Sequence, residues 1–379
     1  MSPNIHILFI DQQPTKFAGG QERSLYELCT DLSGRQGVKV SLIWQEKGEL
    51  LDKYREFCST DFRVPHRQLQ FHTLPSLVMS LSEGLIRNIS QRWDMIYANQ
   101  YFDIPFAAAL SKVTGLPLVC HLRLLCPHYL SRQYRWGLEH ASMLIANSRA
   151  TRDSYVEAGI SKEKMEIVHN RVDVEKFSPA SPAPVNETPV ITYLGRLCPE
   201  KGIEELIQAA HLLGDNGYRL ELYGDVRGAG TSDNYLDQLH EQAGDLWNKT
   251  IYFYPHTSDV VPALHQSDLM VLPSHMESFG RVLLEAMACE VPVVATRVGG
   301  IPEVLGAGFE DQMVDSQNPE QLAAKIKEYL NWREDKPELG PRSRNWVRNY
   351  FSADTYADEI LSVVRRMIMP RFKRTAATS

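Results

Sequence analysis

Short apolar runs, each followed by a segment of helical periodicity, alternate along most of the chain, and that alternation constrains the fold more than any other feature. Ile5 to Ile10, Val38 to Trp44, Met95 to Ala98, Leu116 to His121 and Met143 to Ala146 read as strands, and Glu22 to Leu32, Leu74 to Ile89 and Ile104 to Thr114 as intervening helices. Such a series builds parallel βαβ units, because parallel strands need a crossover between them. The series breaks at Ser178 to Pro189, which carries four prolines in twelve residues and no apolar periodicity. It then restarts: strands at Val190 to Leu194, Arg219 to Tyr223, Thr250 to Phe253, Leu269 to Leu272 and Val291 to Thr296, helices at Gly202 to Leu213 and Arg281 to Ala288. The pattern predicts an α/β protein of two doubly wound, Rossmann-like domains facing across a cleft. The expected division is 1–177, a linker at 178–189, and 190–352, with a C-terminal helix at about 353–379 packing back on the first domain.

A chain of 379 residues exceeds what one core usually supports, and 43% hydrophobic with 23% charged residues is ordinary for a globular enzyme. The net charge of −7 gives no reason to expect nucleic acid as a partner. Asn4 to Ile10 lacks the basic flank and cleavage site of a signal peptide, and no apolar run is long enough to span a bilayer. Six cysteines without a C-x-x-C pair argue against zinc or a disulfide framework and favour a reducing, cytoplasmic setting. Two regions are locally basic. Thr60 to Ala150 has nine Lys and Arg against five Asp and Glu, with five histidines. The tail mixes Arg365, Arg366, Arg371, Lys373 and Arg374 with Met367, Ile368, Met369 and Phe372, a composition that suits either a solvated terminus or peripheral contact with an anionic membrane.

Four segments could carry chemistry. After strand Leu269 to Leu272, a polar loop leads to Ser278, Phe279 and Gly280, expected to open a helix whose first N–H groups, at Phe279, Gly280 and Arg281, face a ligand. Glu277 and Glu285 are eight residues apart, which on a helix sets them about 80° from each other, a pair able to accept from several hydroxyls. Their bland reading is a helix cap and a solvated carboxylate. Next, Gly195 to Gly202 places Arg196 and Lys201 between a strand's carboxyl end and a helix start, where two cations could hold a diphosphate; pairing with Glu200, Glu204 or Glu205 is the alternative. Third, Gly19 and Gly20 lie between the first strand and its helix, where bare amides suit a phosphate. Last, His121 closes a strand at the expected cleft edge, either a polar terminus or an active-site group.

Taken together and in this order, these segments resemble the retaining glycosyltransferases of family 4, the glycosyl transferase group 1 enzymes of the GT-B fold. The resemblance rests on Gly19-Gly20 with Glu22, His121, Ala146-Asn147-Ser148, Ile167 to Asp173 with Phe177 and Pro179, Gly195-Arg196 with Lys201-Gly202, Glu277 to Gly280, Glu285-Ala286, and Gly299-Gly300 with Pro302-Glu303. It implies that Arg196 and Lys201 hold the donor diphosphate, that Glu285 binds the ribose, and that Glu277 binds the transferred sugar together with the backbone of Ser278, Phe279 and Gly280. Gly20 would meet the distal phosphate, His121 would line the sugar pocket, and the base would rest near Tyr223-Gly224-Asp225 and Pro255-His256-Thr257. Two positions depart from the family pattern. Arg171 replaces a glycine, which implies strain if that glycine has positive φ. Arg281 adds a cation at a helix start, unfavourable unless an acidic partner lies close.

The implied reaction moves a hexose from a nucleotide diphosphate sugar to an acceptor hydroxyl with retention, in glycan, glycolipid or polysaccharide synthesis. No cofactor or metal is expected, since the cations serve the leaving group and no D-x-D pair sits in a suitable loop. Closure of the two domains over the donor is expected, to shut water out. The acceptor, a carbohydrate or a lipid-linked one, is expected near Gln45 to Asp61, Val64 to Ser76 and Leu124 to Tyr134, whose Arg and His content favours an acidic or phosphorylated molecule. A nucleotide-sugar epimerase of similar architecture and a non-catalytic binding protein are the alternatives. A dinucleotide oxidoreductase is not, because Gly228-Ala229-Gly230 is followed by Asp233 where a third glycine would stand.

Overall fold

The computed structural model of the chain describes residues 4–15, 20–65, 74–182, 186–214, 217–226, 231 and 234–376. They form two compact units, one of Met1–Asn170 with Asp354–Ser379 and one of Arg171–Ala353. Each is built on one sheet in which every strand pairing is parallel.

In the first unit the strands are β1 (Ile5–Asp11), β2 (Val38–Trp44), β3 (Thr60–Arg63), β4 (Met95–Ala98), β5 (Leu118–Leu122), β6 (Met143–Ala146) and β7 (Met165–Ile167), in the order β3-β2-β1-β4-β5-β6-β7. The central strands read as unbroken apolar runs because helices cover both faces: Phe9, Tyr97 and Val119 pack into one core, while Leu8, Ile96 and Cys120 pack into another. The second unit repeats the plan with β8 (Val190–Leu194), β9 (Arg219–Tyr223), β10 (Ile251–Tyr254), β11 (Leu269–Leu272), β12 (Val293–Thr296) and β13 (Met313–Val314), in the order β10-β9-β8-β11-β12-β13. In both sheets the order reverses beside the first strand, so the loops after β1 and β4, and after β8 and β11, leave from neighbouring strand ends. That is where a doubly wound sheet holds its ligand.

Two features differ from the expectation. The proline-rich segment is not where the chain passes between units. The passage comes at Asn170 and Arg171, and Val172, Val174 and Phe177 already belong to the second unit's core. His265 Nε2 bonds the Ser178 carbonyl at 2.8 Å and Asn186 Nδ2 donates to Asp268 at 2.7 Å, so both ends of the segment are fastened to that unit. Arg171, in turn, is not among the residues of positive φ, so the expected strain is absent; its guanidinium donates to the Tyr350 carbonyl.

The last helix, Tyr356–Ala376, completes the first unit. Tyr356, Ile360, Leu361, Val364 and Ile368 recur at helical spacing and are buried in the same core as Phe9 and Tyr97. Arg35 lies 3.4 Å from Asp358, and Arg366 bonds Glu166. Part of the tail's apolar content, Met367 and Ile368, therefore faces this core and is not free for lipid.

Candidate active site

In the second unit three loops are packed backbone to backbone. Glycine permits it. A Cβ on Gly202 would lie 2.1 Å from the Pro273 carbonyl oxygen, joining the loop after β8 to the loop after β11, and Gly202 also has φ of +67°. A Cβ on Gly299 would lie 1.8 Å from the Glu277 carbonyl oxygen, and one on Gly300 2.4 Å from that of Ser278. The Gly300 N–H donates to the Glu277 carbonyl at 3.0 Å. On the other side, Gly224 meets the Gly195 carbonyl just as closely, and fully buried Tyr193 donates its hydroxyl to the Arg196 carbonyl at 2.7 Å. The segments expected near a base adjoin the same place: the His256 N–H donates to Asp225 at 3.1 Å, and the Leu197 N–H to the Asp225 carbonyl at 3.0 Å.

These loops bring Lys201 and Glu277, 76 positions apart, to 2.7 Å, with side chains 14% and 15% exposed. Burial alone would push the Glu277 carboxyl upward. The charge and hydrogen bond of Lys201, the Phe279 amide and the nearby charge of Arg196 outweigh it, and the group sits below its ordinary value. Glu277 is thus held as a carboxylate beside a cation whose ammonium carries three donors. Arg196 is not drawn into the pair: its guanidinium meets Glu200 at 2.5 Å and is 40% exposed. Glu205 lies 3.0 Å from His275, and Glu204 accepts from the Tyr235 hydroxyl at 2.6 Å.

The carboxylate spacing requires a correction. The helix spans Arg281–Ala288 and Gly280 precedes it with φ of 88°, so Glu277 lies outside the helix and the 80° relation does not apply. Phe279 and Gly280 are not first-turn residues either. The Phe279 N–H points at the Glu277 carboxylate, at 3.5 Å, while the Phe279 ring is buried in the core. Glu285 is buried in the helix and lies 3.3 Å from Arg281, one turn earlier, which supplies the acidic partner that Arg281 needs. Ser278 contributes its backbone carbonyl to the contact with Gly300.

In the first unit Gly19 lies outside the described residues. Gly20 opens the helix Gly20–Ser33, and a Cβ there would meet nothing within 4 Å. His121 is fully buried on β5, with Nδ1 bonded to the Tyr97 hydroxyl at 2.7 Å and Nε2 without a partner. Burial, reinforced by the charge of Arg123, lowers its pKa well below the ordinary value, so the ring is neutral. The sequence reading missed Arg123, which is 3% exposed yet bonds only neutral groups: Asn99 at 2.7 Å, Asn170 at 3.1 Å and the Tyr356 hydroxyl at 3.5 Å. A cation two residues beyond His121 at the same strand end was the available signal.

Glu22, also buried, is pushed up from 4.5 to about 7 by desolvation, against the pull of its own amide and of Arg123. A carboxyl raised on folding binds a proton that the unfolded chain has released, so its contribution to stability is present below pH 4.5 and is lost as pH rises towards about 7. His121 acts the other way and removes stability on acidification below 6.5. Glu22→Gln is therefore expected to gain about 1–3 kcal/mol relative to the wild type between those two limits. Urea midpoints across that range would show it; a constant difference between the two proteins would refute the assignment.

Among the described residues no group of three or more His, Cys, Asp or Glu is arranged to hold a metal. Residues 18–176 match the model of glycosyltransferase family 4, and residues 174–346 that of glycosyl transferases group 1. The two matches run end to end over both units, and the chain belongs to this family of GT-B glycosyltransferases. The capsular polysaccharide biosynthesis glycosyltransferase CapM of Staphylococcus aureus is 30% identical over 205 residues, 54% of this chain and 52% of that one, so the match spans about half of the relative's length. A D-inositol 3-phosphate glycosyltransferase of Segniliparus rotundus is 27% identical over 334 residues, 79% of this chain and 73% of its own. In fold, the chain is similar to Anabaena Alr3699/HepE, whose crystal structure is a complex with UDP and glucose, with a TM-score of 0.78 at 24% identity over 94% of this chain and 98% of that one.

Proposed function

We propose that this glycosyltransferase moves a hexose from a nucleotide diphosphate sugar to an acceptor hydroxyl with retention and without a metal, in building a glycan, glycolipid or polysaccharide. The observation that carries this reading is the Lys201–Glu277 contact of 2.7 Å beside the β8–β11 reversal, which sets a cation for a phosphate next to a carboxylate for sugar hydroxyls. As the bond between the anomeric carbon and the β-phosphate oxygen breaks, charge grows on that oxygen, and Lys201 and Arg196 stabilise it more than they stabilise the bound donor. The acceptor oxygen forms the new bond on the same face, and its proton passes to the departing phosphate. Glu277 orients the sugar and takes no proton. Glu285 holds the ribose, and the amides of Phe279 and Gly280 support the sugar. Gly20 and His121 carry the roles that the family resemblance gives them, His121 through its unbonded Nε2.

Anabaena HepE in its complex with UDP makes uridine diphosphate hexoses the first donors to test, and the inositol phosphate relative makes a phosphorylated polyol the first acceptor. The donor is expected to raise the melting temperature by several degrees, because it binds only the folded state, and to yield product only when acceptor is added. An isomerised donor formed without acceptor would instead indicate an epimerase; a stable complex that never turns over would indicate a binding protein.

A further inference from the structure

In the second unit, the turn that carries Lys201 is gripped on both sides by one residue of the loop after β11. The His275 N–H donates to the Glu200 carbonyl at 2.9 Å, one position before Lys201. The imidazole of the same residue reaches four positions past Lys201, where its Nε2 stands 3.0 Å from Glu205 Oε2 in the first turn of the helix Ile203–Leu213. Both atoms are shut off from solvent, and neither has a hydrogen-bond partner elsewhere. Because a carboxylate oxygen only accepts, Nε2 carries the hydrogen between them. The ring also lies across the turn itself: a Cβ on Gly202 would come 3.4 Å from Nε2.

Lys201 depends on that grip for its reach. Its ammonium ends a flexible four-carbon stem, so the region it can occupy is set by the backbone at its root. The root is a single turn, Pro199–Lys201, closed by left-handed Gly202, and so short a piece has little rigidity of its own. Before Lys201 the turn is secured by main chain alone, since the Glu200 carbonyl also takes the Met276 N–H at 3.4 Å. After Lys201 the side-chain tie to the same loop is the contact of His275 with Glu205. Loss of that tie leaves the stem free to swing with the helix start, and a misplacement of about 1 Å at a group that meets the reacting atoms costs on the order of a hundredfold in rate. The partner that Lys201 already has, Glu277, lies in this loop too, two positions beyond His275.

We propose that His275 is a positioning residue which, with Glu205, fixes the root of Lys201 for the donor diphosphate. The inference rests on the reading of Lys201 as the phosphate cation, and the test separates the two. It measures binding of uridine diphosphate by titration calorimetry, alongside transfer kinetics and melting curves. His275→Leu should weaken uridine diphosphate about tenfold and lower kcat with it, because the lysine is no longer held in place. His275→Gln, whose amide nitrogen can donate from the place of Nε2, should stay within about threefold of the wild type. In a Lys201→Ala background, His275→Leu should add less than about twofold, since the side chain it acts through is gone. A histidine that only stabilised the unit would give losses that multiply with those of Lys201→Ala. Should His275→Leu fold poorly, Glu205→Ala carries the same expectations from the other side of the contact. Losses that multiply, or wild-type binding in His275→Leu or Glu205→Ala, would overturn the proposal while leaving the phosphate clamp in place. Unchanged binding in Lys201→Ala would instead remove the clamp, and this role for His275 with it.

Discussion

Lys201→Ala is expected to lower transfer at saturating donor by about two to three powers of ten, the usual cost of removing one group that meets charge developing in the transition state. The structure adds a second consequence. Lys201 is the largest of the influences that hold the Glu277 carboxyl below its ordinary value against burial. Without the ammonium, desolvation prevails and Glu277 titrates higher, so the residual activity of the variant should fall away at a higher pH than that of the wild type. The pH dependence of kcat and of kcat/KM would show both effects, with a melting curve to confirm that the protein is folded. Glu277→Gln should behave differently. It keeps the cation on the phosphate but loses a charged acceptor for the sugar, so the loss should appear in KM as well as in kcat. Equal activity of Lys201→Ala and wild type would remove the ground for a phosphate clamp at this position.

Gly202→Ala should cost the second unit about 3 kcal/mol or more, although it adds a single methyl group. The residue has φ of +67° and an added Cβ would lie 2.1 Å from the Pro273 carbonyl oxygen, so the loop after β8 must pull away from the loop after β11. Gly217→Ala is the control. Its φ is +70°, yet nothing lies within 4 Å of the added atom, and it should cost only about 1 kcal/mol of backbone strain. Chemical denaturation of both variants separates strain from collision. Because Lys201 and Glu277 sit on the two loops that Gly202 joins, its replacement should also weaken donor binding, whereas that of Gly217 should not. Similar losses in the two variants would mean that the close approach is not what requires glycine at 202.

Most of the strands could be read from the sequence because parallel strands covered on both faces must be apolar throughout. Met95 to Ala98, Val190 to Leu194 and Leu269 to Leu272 are examples whose bounds coincide with the structure. Those that escaped are at sheet edges. Thr60–Arg63, Met165–Ile167 and Met313–Val314 are short, and the first two carry charges; a neighbouring strand supplies their pairing, and their own composition gives little sign of it. At the site, residue types were legible and pairings were not. Nothing local in Gly195 to Gly202 says that Lys201 will meet Glu277 while Arg196 turns to Glu200, because the choice is made by loop packing through Gly202 and Gly299. The helix start was misplaced because Gly280 takes a left-handed conformation that ends one local geometry before the next begins. Arg123 was missed because a lone arginine looks like surface; only the fold brings Asn99, Asn170 and Tyr356 around it.

The pairing of Val172 with Ser352 lays the entry and exit of the second unit side by side: the Val172 N–H donates to the Phe351 carbonyl and the Ala353 N–H to that of Val172. The second unit is therefore an insertion into the first, and synthesis finishes them in the reverse of the order in which they begin. Residues up to Ala353 suffice to close the later-starting unit while the earlier one still lacks the wall that Tyr356, Ile360 and Val364 provide. Until the helix Tyr356–Ala376 has emerged from the ribosome, the half of the protein made first lacks apolar side chains that belong to its core.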